Sequence, residues 1–206
     1  ALSIFEHPKR KQFKRVESKL SNLIEHLWQE DGSFVTFFKP AGRNDVQNFY
    51  PGEAQLYRSF VLEDKMDEKA LDRFMRAFRY YREWHFDNRN PAFIPWHTQA
   101  YYKVWKMTQD DELKEWVFTT NDWLLGMQQG LEVRYPDCVG RFHDPKRPQF
   151  GPPHASSTGV YMEGLIDAFE LARTVGDQER SERYRLAIVN GLRSLKQVMF
   201  KDERDM

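Results

Sequence analysis

The 206-residue sequence contains a single cysteine, Cys138, and no excess of either charge, with 31 basic and 31 acidic residues. One cysteine excludes an intramolecular disulfide and any metal site built on a CxxC pair. No residue pattern around Cys138 marks the base that a catalytic thiol needs. Nucleic-acid binders rely on a basic field, which this chain lacks as a whole. We therefore expect no nucleic-acid partner.

Long apolar runs are also missing. No stretch reaches the roughly 18 apolar residues that a membrane span requires, and the first ten residues, ALSIFEHPKR, lack the apolar core of a signal peptide. A cleaved signal peptide could still have preceded Ala1. We expect a soluble protein without a membrane span, located either in the cytoplasm or, after removal of a signal peptide, in the periplasm.

Aromatic residues are abundant, with 16 Phe, 9 Tyr and 6 Trp making up 15% of the chain. The mean hydropathy is nevertheless low, at -0.77. This combination predicts an interior built from large side chains, with polar atoms either buried or lining a cavity.

The spacing of apolar residues is helical almost throughout. One exception is GSFVTFF, residues 32–38, which alternates like a short strand or hairpin. The predicted helices cover residues 9–29, 51–63, 67–86, 94–108, 110–129, 157–174 and 177–199. The sequence therefore predicts the all-α class.

The last six helices form three similar pairs. Asp67, Asp110 and Asp177 each stand where one helix ends and the next begins, and Asp is a strong N-cap. Fourteen residues before these aspartates lie Glu53, Trp96 and Glu163, each near the start of the first helix of a pair. The repeat is therefore a helix, a tight turn and a second helix, as in arrays of helical hairpins.

The two helices of a pair differ in charge. The first helices, such as AQLYRSFVL, contain few charged residues, whereas the second, such as LDRFMRAFRYYREW, contain many. A helix that is apolar on most sides is buried, and an amphipathic helix covers it. We expect antiparallel hairpins with an inner and an outer layer. The bulky aromatics of the inner helices favour a closed ring or part of one over an open superhelix.

The motifs YPGEA, residues 50–54, and HASSTGVYMEGLIDA, residues 154–168, together with this hairpin pattern, resemble the α/α toroids. That superfamily includes six-hairpin glycosidases, N-acylglucosamine 2-epimerase-like proteins and the C-terminal domain of glucuronyl C5-epimerases. The resemblance covers residues 48–200 and implies one toroid-like domain over residues 1–206. Complete toroids have more hairpins than the three present here. The chain is then a segment of a longer protein, or closes differently, or is covered at its open edge by the rest of that protein or by a second copy.

Antiparallel hairpins place all inner-helix N-termini at one end, so the loops before them should gather there. The longest, residues 130–156, is the predicted functional loop. The resemblance implies a saccharide or uronate ligand, and helix N-termini would suit an anionic one. The expected substrate-binding residues are Tyr50, Tyr57, Trp96, Tyr101, Arg141, His143 and Tyr161.

The candidate catalytic residues depend on the reaction. In a glycoside hydrolase, Glu53 and Glu163 would be the acid and the base, and their separation would decide between retention and inversion. In a sugar epimerase, His97 or His154 would carry the proton.

Each candidate also has a purely structural explanation. Glu53 follows Pro51 in a first helical turn, where a carboxylate stabilises the free amides. His97 can be a core histidine with a satisfied ring. Glu163 is harder to explain, because an inner-helix carboxylate past the first turn needs a partner or a wet cavity. We expect the serines and threonine of HASSTG to cap the inner helix.

We expect no cofactor and no metal, because His143, Asp144 and His154 do not have the tight spacing of a ligand set. The absence of DDxxD and DxDD runs leaves a terpene-type cyclase without support. The alternative to a carbohydrate-directed protein is a non-catalytic helical scaffold, whose concave surface or open edge binds a protein partner.

Overall fold

The structure is a computed structural model that describes residues 1–40, 42–132, 136–150 and 152–199. Within these ranges the chain forms eight α-helices, and its only β-structure is two isolated bridges. The helices are α1 (Leu2–Phe5), α2 (Lys14–Leu27), α3 (Tyr50–Asp64), α4 (Glu68–Asp87), α5 (Ile94–Thr108), α6 (Asp111–Leu125), α7 (Ala155–Val175) and α8 (Gln178–Lys196). The all-α prediction is confirmed. Short 3₁₀ turns lie at Arg10–Phe13, Pro91–Phe93, Pro136–Cys138 and Pro148–Phe150.

Three helices begin where the sequence predicted, at Asp67, Asp110 and Asp177. The carboxylate of each aspartate accepts a hydrogen bond from a backbone amide two or three residues further on, at 2.8 to 3.0 Å. Each such bond satisfies one of the amides that a helix start leaves free. The predicted ends are less accurate, since α6 stops at Leu125 rather than at residue 129.

The chain divides into two compact units, Ala1–Leu113 and Lys114–Met206, and the boundary falls in the first turn of α6. We describe each unit by itself. The hairpins α3–α4 and α7–α8 each lie within one unit, whereas α5–α6 spans the boundary. One toroid-like domain therefore stays a prediction.

In the N-terminal unit, α3 and α5 lie side by side and run in the same direction. Near their N-termini, Gly52 lies against the ring of His97. Toward their C-termini, the Lys103 ammonium is 2.8 Å from the Glu63 carboxylate. This close approach sets the position of the Glu53 side chain, which follows Gly52 on α3.

Helix α4 runs antiparallel to α5 and packs on it through rings. Phe74 and Phe78 near the start of α4 contact Tyr101, and His85 near its end stacks on Phe93. The buried positions of α4 follow one face at helical spacing, and α3 and α5 bury a larger share of their residues. An aromatic core therefore fills the space beneath an amphipathic covering helix.

The segment after α2 returns along the core of the same unit. Trp28 and Phe34 form an antiparallel bridge, and Gly32, Phe34 and Thr36 are buried in alternation. The strand predicted from GSFVTFF is thus reduced to one bridge, although its alternation of buried and less buried residues is present.

In the C-terminal unit, α7 and α8 form an antiparallel hairpin. Gly191, near the end of α8, lies against Met162, near the start of α7. The loop before α7 is attached by a bridge between Gln128 and Phe142. None of the described helices is both long and apolar enough to cross a membrane.

Candidate functional site

The N-terminal unit contains a cavity of about 440 Å³. Its walls come from α1, the end of α2, residues 34–36, the first half of α3 and the start of α5. Four of the predicted site residues line it, namely Tyr50, Glu53, Tyr57 and Trp96. Pockets of roughly 300–1,000 Å³ are typical of small-molecule sites.

The YPGEA motif positions this part of α3. Pro51 occupies the first turn, where its missing amide hydrogen costs nothing. A Cβ atom on Gly52 would lie 2.7 Å from Nδ1 of His97 and 3.1 Å from Cβ of Trp96. Glycine is therefore what allows α3 to approach α5, and that approach brings Glu53 and Trp96 to one cavity.

Glu53 is an exposed residue that also lines the cavity, so it lies at the opening. Desolvation by the neighbouring walls raises the pKa of its carboxyl above the ordinary value. A carboxyl group in this state accepts hydrogen bonds when ionised and can donate a proton in mildly acidic solution. The capping interpretation of Glu53 is compatible with this position, because the residue also lies in the first turn of α3.

Aromatic rings line the same cavity as the Glu53 carboxylate. Tyr50 is 44% exposed and meets Phe37 edge to face, with ring centres 5.9 Å apart. Trp96 is half-buried and meets Phe49 in the same way at 6.0 Å. Tyr57 is buried, with 3% of its surface exposed, and has the edge of Phe5 against it. The cavity therefore combines one carboxylate with flat apolar faces on which a sugar ring can stack.

His97 and Tyr101 are buried in the core and do not line the cavity. Nδ1 of His97 lies 2.6 Å from the carbonyl oxygen of Phe93, and because a carbonyl only accepts, Nδ1 donates. The His97 ring stacks on Phe93 at 3.6 Å, and burial lowers the His97 pKa to about 3. Burial also raises the pKa of Tyr101 well above its ordinary value. Because both side chains are buried, they suit the core alternative better than contact with a substrate, although only one of the two His97 ring nitrogens has a hydrogen-bond partner among the described residues.

In the C-terminal unit, Arg141 and His143 attach the long loop to the helices. The Arg141 guanidinium donates to Oγ of Ser194 at 3.0 Å and to the carbonyl of Pro153 at 3.4 Å. The backbone amide of His143 donates to the carbonyl of Met127 at 2.9 Å. Both residues thus belong to the contacts that hold the loop in place.

The cap of α7 differs from the prediction. His154 is the N-cap, and its Nδ1 accepts a hydrogen bond from the Ser157 amide at 3.3 Å. Ser156 Oγ lies 2.9 Å from the same nitrogen, and Thr158 Oγ1 donates to the His154 carbonyl. The prediction that the HASSTG hydroxyl residues cap this helix is therefore wrong, because the helix begins two residues earlier than predicted and the imidazole nitrogen of His154 takes the acceptor role.

Tyr161 and Glu163 lie on α7, one turn further along. Tyr161 is half-buried, meets Phe142 edge to face at 5.8 Å, and has its pKa raised by burial. Glu163 is exposed, so the expectation that it is an inner carboxylate in need of a partner is wrong. The apolar residues next to Glu163 in the sequence lie on other faces of the helix. Ile166, about one turn further along on the same side as Glu163, is exposed as well.

The structure thus brings together Tyr50, Glu53, Tyr57 and Trp96 in the N-terminal unit, with His97 and Tyr101 in the core of that unit. The other predicted residues belong to the C-terminal unit and are placed within it alone: Arg141, His143, His154, Tyr161 and Glu163. Pairing of Glu53 with Glu163 accordingly stays a prediction.

Sequence reasoning missed the wall contributed by the first 36 residues, which includes Ile24, Leu27, Phe34 and Thr36. A helix and a loop far from YPGEA in sequence give no local sign that they return to it. The alternation in GSFVTFF was the available signal, because it marks residues 34 and 36 as buried on one side.

Among the described residues, no group of three or more His, Cys, Asp and Glu side chains could hold a metal ion. Comparisons with protein-family models, with curated proteins and with solved structures found no match to the chain.

Proposed function

We propose that the chain is a carbohydrate-directed protein of the α/α-toroid type that binds a saccharide in the cavity of its N-terminal unit. The observation that carries this proposal is the convergence of Glu53, Tyr50, Tyr57 and Trp96 on one cavity of about 440 Å³. Sugars present apolar ring faces beside hydroxyl groups, so they need flat apolar surfaces together with hydrogen-bond acceptors.

The proposed role of Glu53 is to accept hydrogen bonds from sugar hydroxyls and, in a catalytic cycle, to donate a proton. Its raised pKa supports the second role, since a general acid works best with a pKa near the working pH. Glu53 is the only acidic side chain among the described residues that line the cavity. Glycoside hydrolysis by a pair of carboxylates would therefore need a second acid from outside this wall, and Glu163 is the candidate.

Ligand-detected NMR and thermal-shift measurements with neutral monosaccharides and disaccharides test the proposal. Bound sugar should raise the melting temperature by mass action. Tyr50→Ala should weaken binding by about three- to tenfold through the loss of a stacking face. Phe86→Ala is the matched control, because Phe86 is an exposed ring of the same unit that does not line the cavity. Absence of binding by every sugar at millimolar concentration would refute the proposal.

The alternative is a non-catalytic scaffold for a protein partner. In its favour, the C-terminal unit exposes large apolar side chains on α8, with Leu186 and Leu192 at 47% and 50%. Exposed apolar side chains are frequent at protein interfaces, although single ones are also normal on a free surface. Failure of the sugar experiment would leave this as the better supported function.

A further inference from the structure

The cavity of the N-terminal unit has one charged side chain in its described lining. Glu53 is the one acidic side chain in its described lining, and the lining contains no Lys, Arg or His side chain. Burial is the cause of the raised Glu53 pKa, and no positively charged group acts to lower it. Above its pKa, the carboxylate is therefore a partly desolvated negative charge, and no basic side chain of the described lining stands beside it.

Other carboxylates of the chain show the opposite arrangement. Arg10 binds Glu17 and lowers its pKa, and Arg79 and Arg82 do the same for Glu112. The chain thus pairs its acids with arginines at several places. In the cavity, by contrast, the acidic side chain of Glu53 faces the space that a ligand would enter.

The aromatic rings that line the cavity add to this preference. Tyr50, Tyr57, Trp96 and Phe34 all line the cavity. The face of an aromatic ring carries partial negative charge, and recognition of organic ammonium ions by groups of such rings is common. A cation in the cavity would be attracted by the carboxylate and by the rings at the same time.

We propose that the ligand of this cavity is a cationic amino sugar, whose ammonium group binds Glu53 while its ring lies against the aromatic walls. This inference rests on the proposed saccharide-binding function and names the class of sugar. It disfavours a uronate in this cavity, because the carboxylate of a uronate would meet the like charge of Glu53 with no basic side chain in the described lining to offset it.

The test compares glucosamine, glucose and glucuronate, measured by calorimetry or ligand-detected NMR. All three sugars are measured at about pH 6.5, where an amine is largely protonated, and again at lower pH, where protonation of the Glu53 carboxyl should remove the preference for glucosamine. Glucosamine should bind about tenfold more tightly than glucose, since a hydrogen bond between charged partners is stronger than one with a neutral partner. Glucuronate should bind most weakly.

Two variants test whether Glu53 is the source of the preference for glucosamine. Glu53→Gln should bring the affinity for glucosamine down to that for glucose, and because the residue is exposed, the variant should fold normally. Glu68→Gln removes the same charge from an exposed site on α4 that does not line the cavity, so it should keep the preference. Circular dichroism of both variants verifies folding.

The outcomes separate the two proposals. Equal binding of glucose and glucosamine, or tighter binding of glucuronate, would overturn the amino-sugar inference and leave saccharide binding intact. A preference for glucosamine that survives in Glu53→Gln would also overturn it, because the ammonium would then lie elsewhere. If no sugar binds, both proposals fail.

Discussion

The two units each contain a loop that is attached to its hairpin in the same way, but the side chains around that loop differ. In each, a bridge ties the segment after a helix to the residues that lead into the next hairpin, Trp28 to Phe34 in one and Gln128 to Phe142 in the other. In each, a glycine with positive φ lies against the backbone of the second helix of that hairpin. Gly32 meets α4 at Arg76, and Gly140 meets α8 at Asn190.

The units differ in how residue sizes are distributed between the paired helices. Counted from the capping residues Asp67 and Asp177, Gly52 corresponds to Met162, and Tyr81 corresponds to Gly191. The N-terminal unit thus has its small residue on the first helix, and the C-terminal unit has it on the second. In the C-terminal unit Gly191 lies against Met162 of its own hairpin, whereas in the N-terminal unit Gly52 lies against His97 of α5.

The different position of the glycine in the two units affects which side chains reach the cavity. With glycine on α3, helix α5 approaches and its Trp96 reaches the cavity. In the C-terminal unit, Met162 fills the equivalent position, and polar side chains such as Gln128 and Arg141 bond to the loop and to α8. The first unit therefore has a cavity lined by Glu53 and aromatic side chains. In the second unit, Gln128 and Arg141 hold the loop before α7.

The largest expected effect comes from Gly140→Ala. Gly140 has φ of +87°, and an added Cβ would overlap the carbonyl of Asn190, which is helix backbone and cannot move aside. Backbone strain and overpacking together should cost on the order of 3 kcal/mol of unfolding free energy. Urea unfolding of the full chain, followed by circular dichroism, measures the loss.

Gly32→Ala is the matched variant in the other unit. Its φ is +96°, and the added Cβ would lie 2.7 Å from the carbonyl oxygen of Arg76. We expect a smaller loss of unfolding free energy than for Gly140→Ala, because the added Cβ would overlap its neighbour less.

If Gly140→Ala unfolds at the same urea concentration as the unchanged protein, the loop before α7 does not lie on α8 as described.

Gly52→Ala should have the next largest effect. The added methyl group would meet the His97 ring, which is held between Phe93 and neighbouring rings and cannot rotate away. Overpacking of this kind costs about 1–3 kcal/mol, partly offset by about 1 kcal/mol from the better helix propensity of alanine. Urea unfolding should show a net loss, and hydrogen exchange should show it in α3 and α5. An increase in stability would mean that α3 and α5 are further apart.

Much of this fold could be predicted from the sequence, because the relevant signals are local. The three capping aspartates act on amides two or three residues away, so their pattern alone locates three helix starts. The glycine and proline of YPGEA likewise mark a helix start. Three residues of that motif, Tyr50, Glu53 and Ala54, line the cavity.

What could not be predicted depends on partners far away in the chain. Nothing near Gly52 shows that a histidine 45 residues later will lie against it. The exposure of Glu163 was missed because its apolar neighbours in sequence lie on other faces of α7. His154 was missed as a cap because imidazole seldom takes that role, and serines follow it directly.

Gly191→Ala tests whether the C-terminal unit tolerates an added methyl group better than the N-terminal unit does. Here the added methyl group would meet the thioether end of Met162, a flexible chain that can turn away at small cost. The gain of about 1 kcal/mol in helix propensity should roughly cancel the rearrangement. We expect the unfolding free energy to change by less than about 1 kcal/mol. A loss as large as that of Gly52→Ala would show that Met162 is as immobile as His97.

The smallest expected effects are those of pH, and they have opposite signs in the two units. In the C-terminal unit, the Arg180 amide and guanidinium lower the pKa of Asp177. A lowered pKa stabilises the fold above the ordinary aspartate value, and that stabilisation is lost as the pH falls through the folded-state pKa. Asp177→Asn should remove this dependence, which urea unfolding between about pH 2 and pH 7 measures.

Glu53 should behave in the opposite way. Because its pKa is raised by desolvation, ionisation weakens the fold as the pH rises through the folded-state pKa, and below the ordinary glutamate value there is no penalty. The stability of Glu53→Gln relative to the unchanged protein should therefore increase from acidic to neutral pH, by a small amount because the side chain is exposed. Titration of the carboxyl by ¹³C NMR measures the pKa directly. A value at or below that of an ordinary glutamate would mean that the cavity walls do not desolvate this group, and the pKa of Glu53 would no longer contrast with the lowered pKa values of Glu17 and Glu112.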